Sequence, residues 1–288
     1  MSLRDLIAQR MVVAPGVYDG FSAKVADRST FEALYMSGYF VAGSRYGVPD
    51  AGLIGLHEML DALSMIVRCS SKPVIADADT GYGGLLNVQH TVRCYEAAGA
   101  AALHIEDQAI PKKCGHTQGK VVVPTQDMVQ KIHVAAEARR TDDFVIIART
   151  DSLASEGFDS AMKRSEAYLR AGADLVFMDA IQTYDQMRAF ADAFPRRCMI
   201  NIVPFRHFVT PEITTRELDA MGYALAIFPG SLGIPAMGAM RNALHRLAAG
   251  EPSDHDALDI SPHELIGFDQ VWADEARWAQ TLGASKEG

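Results

Sequence analysis

Eight short apolar runs, each followed by a helical pattern of apolar residues, constrain the fold of this chain more than any other feature. The runs are rich in Val, Ile, Leu and Phe and lack polar alternation, which is typical of parallel strands buried on both faces. They lie at Met11–Tyr18, Ala33–Tyr39, Pro73–Asp79, Ala102–Asp107, Phe144–Asp151, Leu175–Ala180, Cys198–Val203 and Ala224–Pro229. Eight strands and about eight helices in about 250 residues predict an α/β fold, the (β/α)₈ TIM-type barrel. A doubly wound sheet is the alternative, but no G-x-G-x-x-G sequence follows the first run.

A change in composition near residue 250 predicts where the barrel ends. Residues 251–261 contain Pro, Ser and Asp and predict a linker, and residues 262–283 predict one or two further helices. We therefore assign residues 1–250 to a catalytic barrel and residues 251–288 to a linker with C-terminal oligomerisation helices. Trp272 and Trp278 lie at apolar positions of the last stretch. Large apolar residues beyond a closed barrel need a cover, which a neighbouring subunit would supply.

Charge and cysteine content limit the partners and the compartment of the protein. The formal net charge of −9 argues against nucleic acid or an anionic membrane as a partner. The four cysteines have no paired spacing and favour free thiols in a reducing compartment. Charges interrupt the first residues before an apolar run develops, so a signal peptide is not expected. No window approaches the roughly 18 apolar residues of a membrane span, and we expect a cytoplasmic protein.

Acidic side chains follow several of the predicted strands, at the end of a barrel where chemistry takes place. Asp77 and Asp79 are two residues apart and point to the same side of a strand, and Glu106 ends the next strand. Three such carboxylates cannot all stay ionised without a cation. Hard oxygen ligands favour Mg²⁺ or Mn²⁺, and zinc is disfavoured because no Cys/His set has its ligand spacing. A single acid after a strand is usually a helix cap or a turn former, and it is the collection of several at one end of the barrel that favours a site.

The loop Lys112–His116 reads Lys-Lys-Cys-Gly-His and follows the fourth predicted strand. A thiol beside cationic groups should have a lowered pKa, so Cys114 is expected to exchange protons near neutral pH. The alternative is a solvated basic loop that contains a cysteine by chance. His104, inside the preceding strand, is expected to be a packed core residue.

Four motifs, in order along the chain, resemble the isocitrate lyase/phosphoenolpyruvate mutase superfamily. They are Asp77–Gly83, Glu106–Gln108, Lys112–His116 and Ala148–Asp151. The Lys-Lys-Cys-Gly-His loop resembles the carbon–carbon lyase branch, whose short members are 2-methylisocitrate lyase, dimethylmalate lyase and oxaloacetate hydrolase. Phosphonate-processing members carry an asparagine-containing loop there, which disfavours a phosphonate mutase or hydrolase. The resemblance implies a (β/α)₈ barrel whose last helices swap between subunits, in a homotetramer arranged as a dimer of dimers.

The resemblance also implies a role for individual residues. The metal ligands would be Asp77, Asp79 and Glu106, binding Mg²⁺ or Mn²⁺. Cys114 would donate a proton to the carbanion from a loop that closes over the site, and the implied catalytic residues are Lys112, Cys114, His116 and Arg149. The residues implied to bind the small carboxylate substrate are Ser37, Gly38, Tyr39, Asp50, Gly115, Arg149, Asp179 and Asn201.

Two departures from the family pattern bear on the substrate. Asp179 stands where the family commonly has glutamate, and Val203 stands where tricarboxylate lyases commonly have threonine. Val203 cannot donate a hydrogen bond to a further carboxylate. We therefore expect a Mg²⁺-dependent lyase of a 2-hydroxy dicarboxylate of the alkylmalate type, acting through an enolate. A 2-methylisocitrate lyase, with Arg206 or His207 holding the third carboxylate, and an oxaloacetate hydrolase or decarboxylase are the alternatives. A barrel without activity is disfavoured because Cys114 and all three carboxylates are present.

Overall fold

The computed structural model describes residues 1–203, 210–252 and 259–284, and it contains a closed barrel of eight parallel strands. Each strand pairs with the next along the chain, and the last pairs with the first. The strands are β1 Val12–Val17, β2 Leu34–Met36, β3 Val74–Asp77, β4 Ala102–Glu106, β5 Val145–Thr150, β6 Leu175–Met178, β7 Cys198–Asn201 and β8 Leu225–Phe228. One strand lies within each predicted run, and the predicted (β/α)₈ barrel is confirmed.

Thirteen helices lie in the described ranges, and a π-helical segment, Ala42–Tyr46, follows the third. They are α1 Leu3–Gln9, α2 Gly20–Asp27, α3 Gly38–Val41, α4 Leu56–Cys69, α5 Leu85–Ala97, α6 Thr125–Ala138, α7 Leu153–Glu156, α8 Phe158–Arg170, α9 Tyr184–Ala193, α10 Thr215–Met221, α11 Gly233–Ala248, α12 Pro262–Ile266 and α13 Phe268–Ala284. The longer helices around the barrel fall on the stretches with helical spacing. The short helices α1, α2, α3 and α7 are too brief for a periodic signal.

Helix α1 closes the N-terminal end of the barrel. Its Leu3, Leu6 and Ile7 are buried in the same apolar cluster as the residues that begin three strands, Val12, Ala102 and Val145. Ser2 caps the helix by accepting a hydrogen bond from the amide of Asp5. The opposite end, where the strands finish, is therefore the end available to a ligand.

The space between the strands and the surrounding helices holds the larger core. Helix α4 buries Met59, Leu63 and Ile66 completely, and α6 and α8 contribute Ile132 and Tyr168 in the same way. Each fully buried side chain of this size stabilises the fold by roughly 1.5–3 kcal/mol. The strand ends are thus carried on a rigid scaffold.

The described chain divides into two compact units, Met1–Pro235 and Ala236–Gly288, so the division falls inside α11. The sequence placed the boundary after residue 250, and that domain assignment stays a prediction. Within the second unit, Phe268 stacks on His263 and tilts against Trp272, which joins the start of α13 to α12. Among the described residues of this unit, the exposed large apolar ones are Met237, Met240, Leu244, Leu247, Ile266, Phe268, Val271, Trp272 and Trp278. In the described ranges, no helix has both the length and the apolar character that a membrane crossing needs.

Candidate active site

The predicted carboxylates meet at the carboxyl ends of β3 and β4. Asp77, Asp79 and Glu106 are all buried there. Asp79 has a φ of +48°, in the left-handed region that non-glycine residues seldom adopt, and its amide donates to Asp77 Oδ1 over 3.0 Å. Backbone strain of this kind persists where the surrounding structure enforces it, commonly at functional sites.

Lys112 carries its ammonium from the loop into this carboxylate cluster. Its buried Nζ contacts Oδ1 of both Asp50 and Asp79. In the parts of the chain that the structure describes, no three Cys, His, Asp or Glu side chains form a ready-made set of metal ligands. The lysine is instead the cation that the structure places beside Asp79.

The single positive charge of Lys112 does not neutralise the carboxylates of this cluster. Burial, with Asp77 and Asp50 nearby, raises the pKa of Asp79 to about 7, even though Lys112 lowers it. Burial also raises the pKa of Glu106 well above its usual range, and its Oε1 is a buried oxygen without a hydrogen-bond partner. A buried carboxylate oxygen in that state is costly, and a hard divalent cation is the natural ligand for such donors. The residues present therefore fit Mg²⁺ or Mn²⁺.

Arg149, at the end of β5, joins two further carboxylates. Its Nε and Nη2 donate to the two oxygens of Asp151 over 2.9 and 3.0 Å, and Nη2 also donates to Asp179 over 2.9 Å. Nε lies 3.4 Å from Glu106, which connects the arginine to the first cluster. Asp151 was not among the predicted site residues. Its position two residues after Arg149, on the same side of the chain, was the signal for it.

The loop Lys112–His116 lies directly on the Arg149–Asp179 pair. An added Cβ at Gly115 would be 1.6 Å from Asp179 Oδ2 and 2.3 Å from Arg149 Nη2, so only glycine fits. Asn201 donates to Asp179 Oδ1 over 3.1 Å, and its Nδ2 lies 3.3 Å from His116 Nε2. The structure therefore brings together the loop and the predicted residues of β5, β6 and β7.

The expected pKa of Cys114 is wrong. Burial of the thiol raises its pKa to about 11, and the nearby carboxylates of Asp50 and Asp179 act in the same direction. The cations that adjoin it in sequence lie elsewhere, because Lys112 pairs with Asp50 and Asp79 while Lys113 is exposed and donates to the carbonyl of Gly119. The thiol is therefore a neutral acid near neutral pH.

Ser37, Gly38 and Tyr39 form the turn that leads from β2 into α3. Ser37 is buried and caps the helix, accepting from the amide of Phe40 over 3.5 Å. A Cβ on Gly38 would lie 2.6 Å from Asp77 Oδ2, so the backbone of this turn approaches the carboxylates closely. The Tyr39 side chain is about half exposed, at 48%.

His104 is a core residue, as expected. It is fully buried inside the barrel and lies 2.8 Å from the Tyr35 hydroxyl. Burial lowers its pKa to about 4, so the imidazole is neutral.

A closed barrel with acids, an arginine, a lysine and a protonated thiol gathered at the strand ends defines an enzyme of the (β/α)₈ class. The model of the phosphoenolpyruvate phosphomutase family matches residues 3–248. The chain belongs to this family and to the isocitrate lyase/phosphoenolpyruvate mutase superfamily that its motifs resemble.

Similar proteins carry several named activities. A 2-methylisocitrate lyase from Aeropyrum pernix is 47% identical over 272 residues, 92% of this chain and 86% of that protein. A 2,3-dimethylmalate lyase from Eubacterium barkeri is 42% identical over 228 residues, 79% of this chain and 78% of the relative. These relatives confirm the predicted enzyme class, a carbon–carbon lyase.

Solved structures agree with the fold. Oxaloacetate acetylhydrolase in complex with 3,3-difluorooxalacetate superposes with a TM-score of 0.86 at 36% identity, covering 98% of this chain and 96% of that chain. Phosphonopyruvate hydrolase in complex with oxalate and Mg²⁺ superposes with a TM-score of 0.84 at 30% identity, covering 97% and 100%.

Proposed function

We propose that this protein cleaves the C2–C3 bond of a 2-hydroxy dicarboxylate of the alkylmalate type, releasing a 2-keto acid and a second carboxylate. The observation that carries the proposal is the Lys112–His116 loop seated on Arg149 and Asp179, with the protonated thiol of Cys114 inside it. The C2 hydroxyl gives its proton to a carboxylate of the site as C2=O forms and the C2–C3 bond breaks. The electron pair of that bond is left on C3, delocalised as an enolate onto the adjacent carboxylate. Such a species needs concentrated positive charge, exclusion of water and a proton donor.

The residues of the loop and the strand ends supply these needs in this proposal. Arg149 binds the 2-hydroxy acid portion, and Ser37 with the amides of Gly38 and Tyr39 holds its carboxylate. Asp179 keeps Arg149 and Asn201 oriented toward the substrate.

Cys114 gives its proton to C3 of the enolate and becomes a thiolate. A raised pKa suits this role, because the proton stays on the thiol until a strongly basic carbanion forms. Lys112 and His116 close over the reacting atoms and exclude water.

We propose Asp77, Asp79 and Glu106 as the residues that hold Mg²⁺ or Mn²⁺, with Asp50 nearby. When bound, a divalent cation lowers the pKa of the substrate hydroxyl and polarises the carbonyl that forms. The buried Glu106 oxygen without a partner and the raised pKa values of Glu106 and Asp79 support this assignment.

Val203 favours a dicarboxylate over a tricarboxylate. It follows Asn201 at the end of β7 and is half-buried, and its side chain offers no hydrogen bond. Arg206 and His207, the alternative partners of a third carboxylate, lie outside the described residues. One relative is named for a tricarboxylate and the other for a dicarboxylate, so their names do not choose between the two substrates. Our choice of a dicarboxylate rests on Val203. Cleavage of 2-methylisocitrate and hydrolysis of oxaloacetate are the other outcomes considered.

Relative rates on related acids test the proposal. We expect kcat/KM for 2,3-dimethylmalate to exceed that for 2-methylisocitrate by about ten- to a hundred-fold, the cost of one missing charge-assisted hydrogen bond. Val203→Thr should raise the rate on the tricarboxylate selectively. A tenfold preference of the wild type for 2-methylisocitrate would make it a 2-methylisocitrate lyase, and turnover of oxaloacetate alone would make it a hydrolase.

The exposed apolar residues of the second unit support a homo-oligomer. We propose that other copies of the chain cover them, in a tetramer whose C-terminal helices swap between subunits, and that the protein acts in the cytoplasm. Light scattering at micromolar concentration should give a mass of about four chains, and truncation at Ser261 should lower it because Trp272 and Trp278 are lost. A full-length monomer would contradict this proposal.

A further inference from the structure

Lys120 has no part in the reaction proposed above, yet its side chain is almost completely buried beneath the loop. Only 4% of the side chain is exposed. Its Nζ donates to the carbonyl of Gly115 and to Asp151 Oδ1, the latter over 3.2 Å. Lysine is rarely buried unless it is paired, because the ammonium loses its hydration. A buried lysine in a loop therefore calls for a specific partner, and Asp151 is that partner.

Asp151 is shared between the scaffold and the loop. Its two carboxylate oxygens accept from Nε and Nη2 of Arg149, and its amide donates to Asp107 Oδ1 over 2.9 Å. The side chain is fully buried and fixed at the end of β5. The guanidinium belongs to β5, whereas the ammonium of Lys120 belongs to the segment that follows the loop Lys112–His116.

The segment 112–120, which contains the loop Lys112–His116, is attached by a buried lysine at each of its ends. Lys112 pairs with Asp50 and Asp79 at one end, and the amide of Cys114 donates to the carbonyl of Asp50 over 3.0 Å. At the other end Lys120 follows Gly119, whose φ is +74°. The residues between them carry Cys114 and His116.

We propose that Lys120 is a positioning residue, a latch that pairs with Asp151 when the loop closes and so fixes the Gly115 carbonyl and the Cys114 thiol above Arg149. The proposal rests on the proposed function for its effect on turnover, but not for the latch itself. The attraction between Lys120 and Asp151 is offset by the cost of dehydrating the ammonium. When the loop opens, the ammonium of Lys120 returns to water, and Asp151 remains paired with Arg149. A pair balanced in this way can open and close during turnover.

Alkylation of Cys114 by iodoacetamide, measured peptide by peptide in the protein without substrate, tests the latch. Lys120→Met removes the charge and keeps the length of the side chain. We expect it to speed alkylation of Cys114 at least about fivefold, because the contacts of the ammonium with Gly115 and with Asp151 are both lost. Cys94, on α5, is the internal reference and should not change. Loss of a nearby cation would by itself raise the thiol pKa and slow the reaction, so a faster rate reports exposure.

Two further variants control for charge and for general effects of substitution. Lys120→Arg keeps the cation and should stay within about twofold of the wild type, since both side chains pair with carboxylates. Lys163→Met removes an exposed lysine on α8 and should leave alkylation and turnover unchanged. If Lys120→Met does not fold, Lys120→Gln, which can still donate to Gly115 but lacks the charge, carries the same expectation.

Turnover separates failure of the latch from failure of the proposed function. On 2,3-dimethylmalate, Lys120→Met should lower kcat about tenfold or more, and Lys120→Arg should restore most of it, as for misplacement of a catalytic group. If Cys114 becomes exposed but no variant, nor the wild type, cleaves any of the acids, the proposed function fails and the latch stands. An unchanged alkylation rate in Lys120→Met, or an equal rise in Lys120→Arg, would overturn the latch.

Discussion

Gly115→Ala should stop the loop from closing while the barrel stays folded. The added methyl group would lie 1.6 Å from Asp179 Oδ2 and 2.3 Å from Arg149 Nη2. Non-bonded heavy atoms separate to about 3.5 Å, so the loop has to rise by roughly 2 Å or the ion pair has to break. A displacement of about 1 Å at a reacting group can cost 10²-fold in rate. Breaking the pair instead forfeits hydrogen bonds to charged groups worth about 1.5–3 kcal/mol each.

Either route predicts a loss of about 3 kcal/mol in transition-state stabilisation, or about a hundredfold in kcat/KM. The assay is release of the 2-keto acid from 2,3-dimethylmalate, followed as its phenylhydrazone. The melting temperature should change little where the loop rises, because residues 112–116 contribute nothing to the apolar core. A fall of several degrees would instead report that the buried Arg149–Asp179 pair has broken. Gly84→Ala is the matched control, since a Cβ there meets nothing within 4 Å. A folded Gly115→Ala enzyme within about threefold of the wild type would refute the contact between the loop and Asp179.

The site and its support give four other predictions. Cys114→Ser should lower kcat by at least about a hundredfold, as for loss of a general acid. An acid works below its pKa, and a thiol with a pKa raised to about 11 should cause no fall in kcat between pH 7 and about 10; a decline near pH 8 that Cys114→Ser abolishes would contradict this. Glu106→Ala should abolish activity and the rise in melting temperature on adding Mg²⁺, and full turnover of the wild type in EDTA would exclude the metal. Asp107→Asn should lower the free energy of unfolding in urea by at least about 2 kcal/mol, because Arg164 and Tyr168 lose a buried carboxylate partner.

The barrel could be predicted because each buried strand is encoded locally, as an apolar run with helical spacing after it. The collection of acids could be predicted as well, since the fold alone brings strand ends such as Asp77 and Glu106 to one rim. Both inferences need only the order of the elements along the chain.

The charges within the site could not be predicted in the same way. The pKa of Cys114 was misjudged because neighbours in sequence were taken as neighbours in space, whereas Lys112 turns away to Asp50 and Asp79. Lys120 was missed because its burial depends on how the loop packs against the strand ends, and a lysine in a loop is ordinarily solvated. Contacts between a loop and a distant strand depend on tertiary structure alone.

Helix α1 closes the N-terminal end of the barrel, so among the described residues the site opens at the end where the strands finish. Leu3, Leu6 and Ile7 fill the N-terminal end. Substrate and both products therefore pass through the opposite end, which the loop Lys112–His116 covers. In the proposed reaction, both products therefore leave only after the loop has opened. The product that is released more slowly then limits how soon the next substrate molecule can bind. A solvent of higher viscosity would then slow the release of products and leave the rate of bond cleavage unchanged.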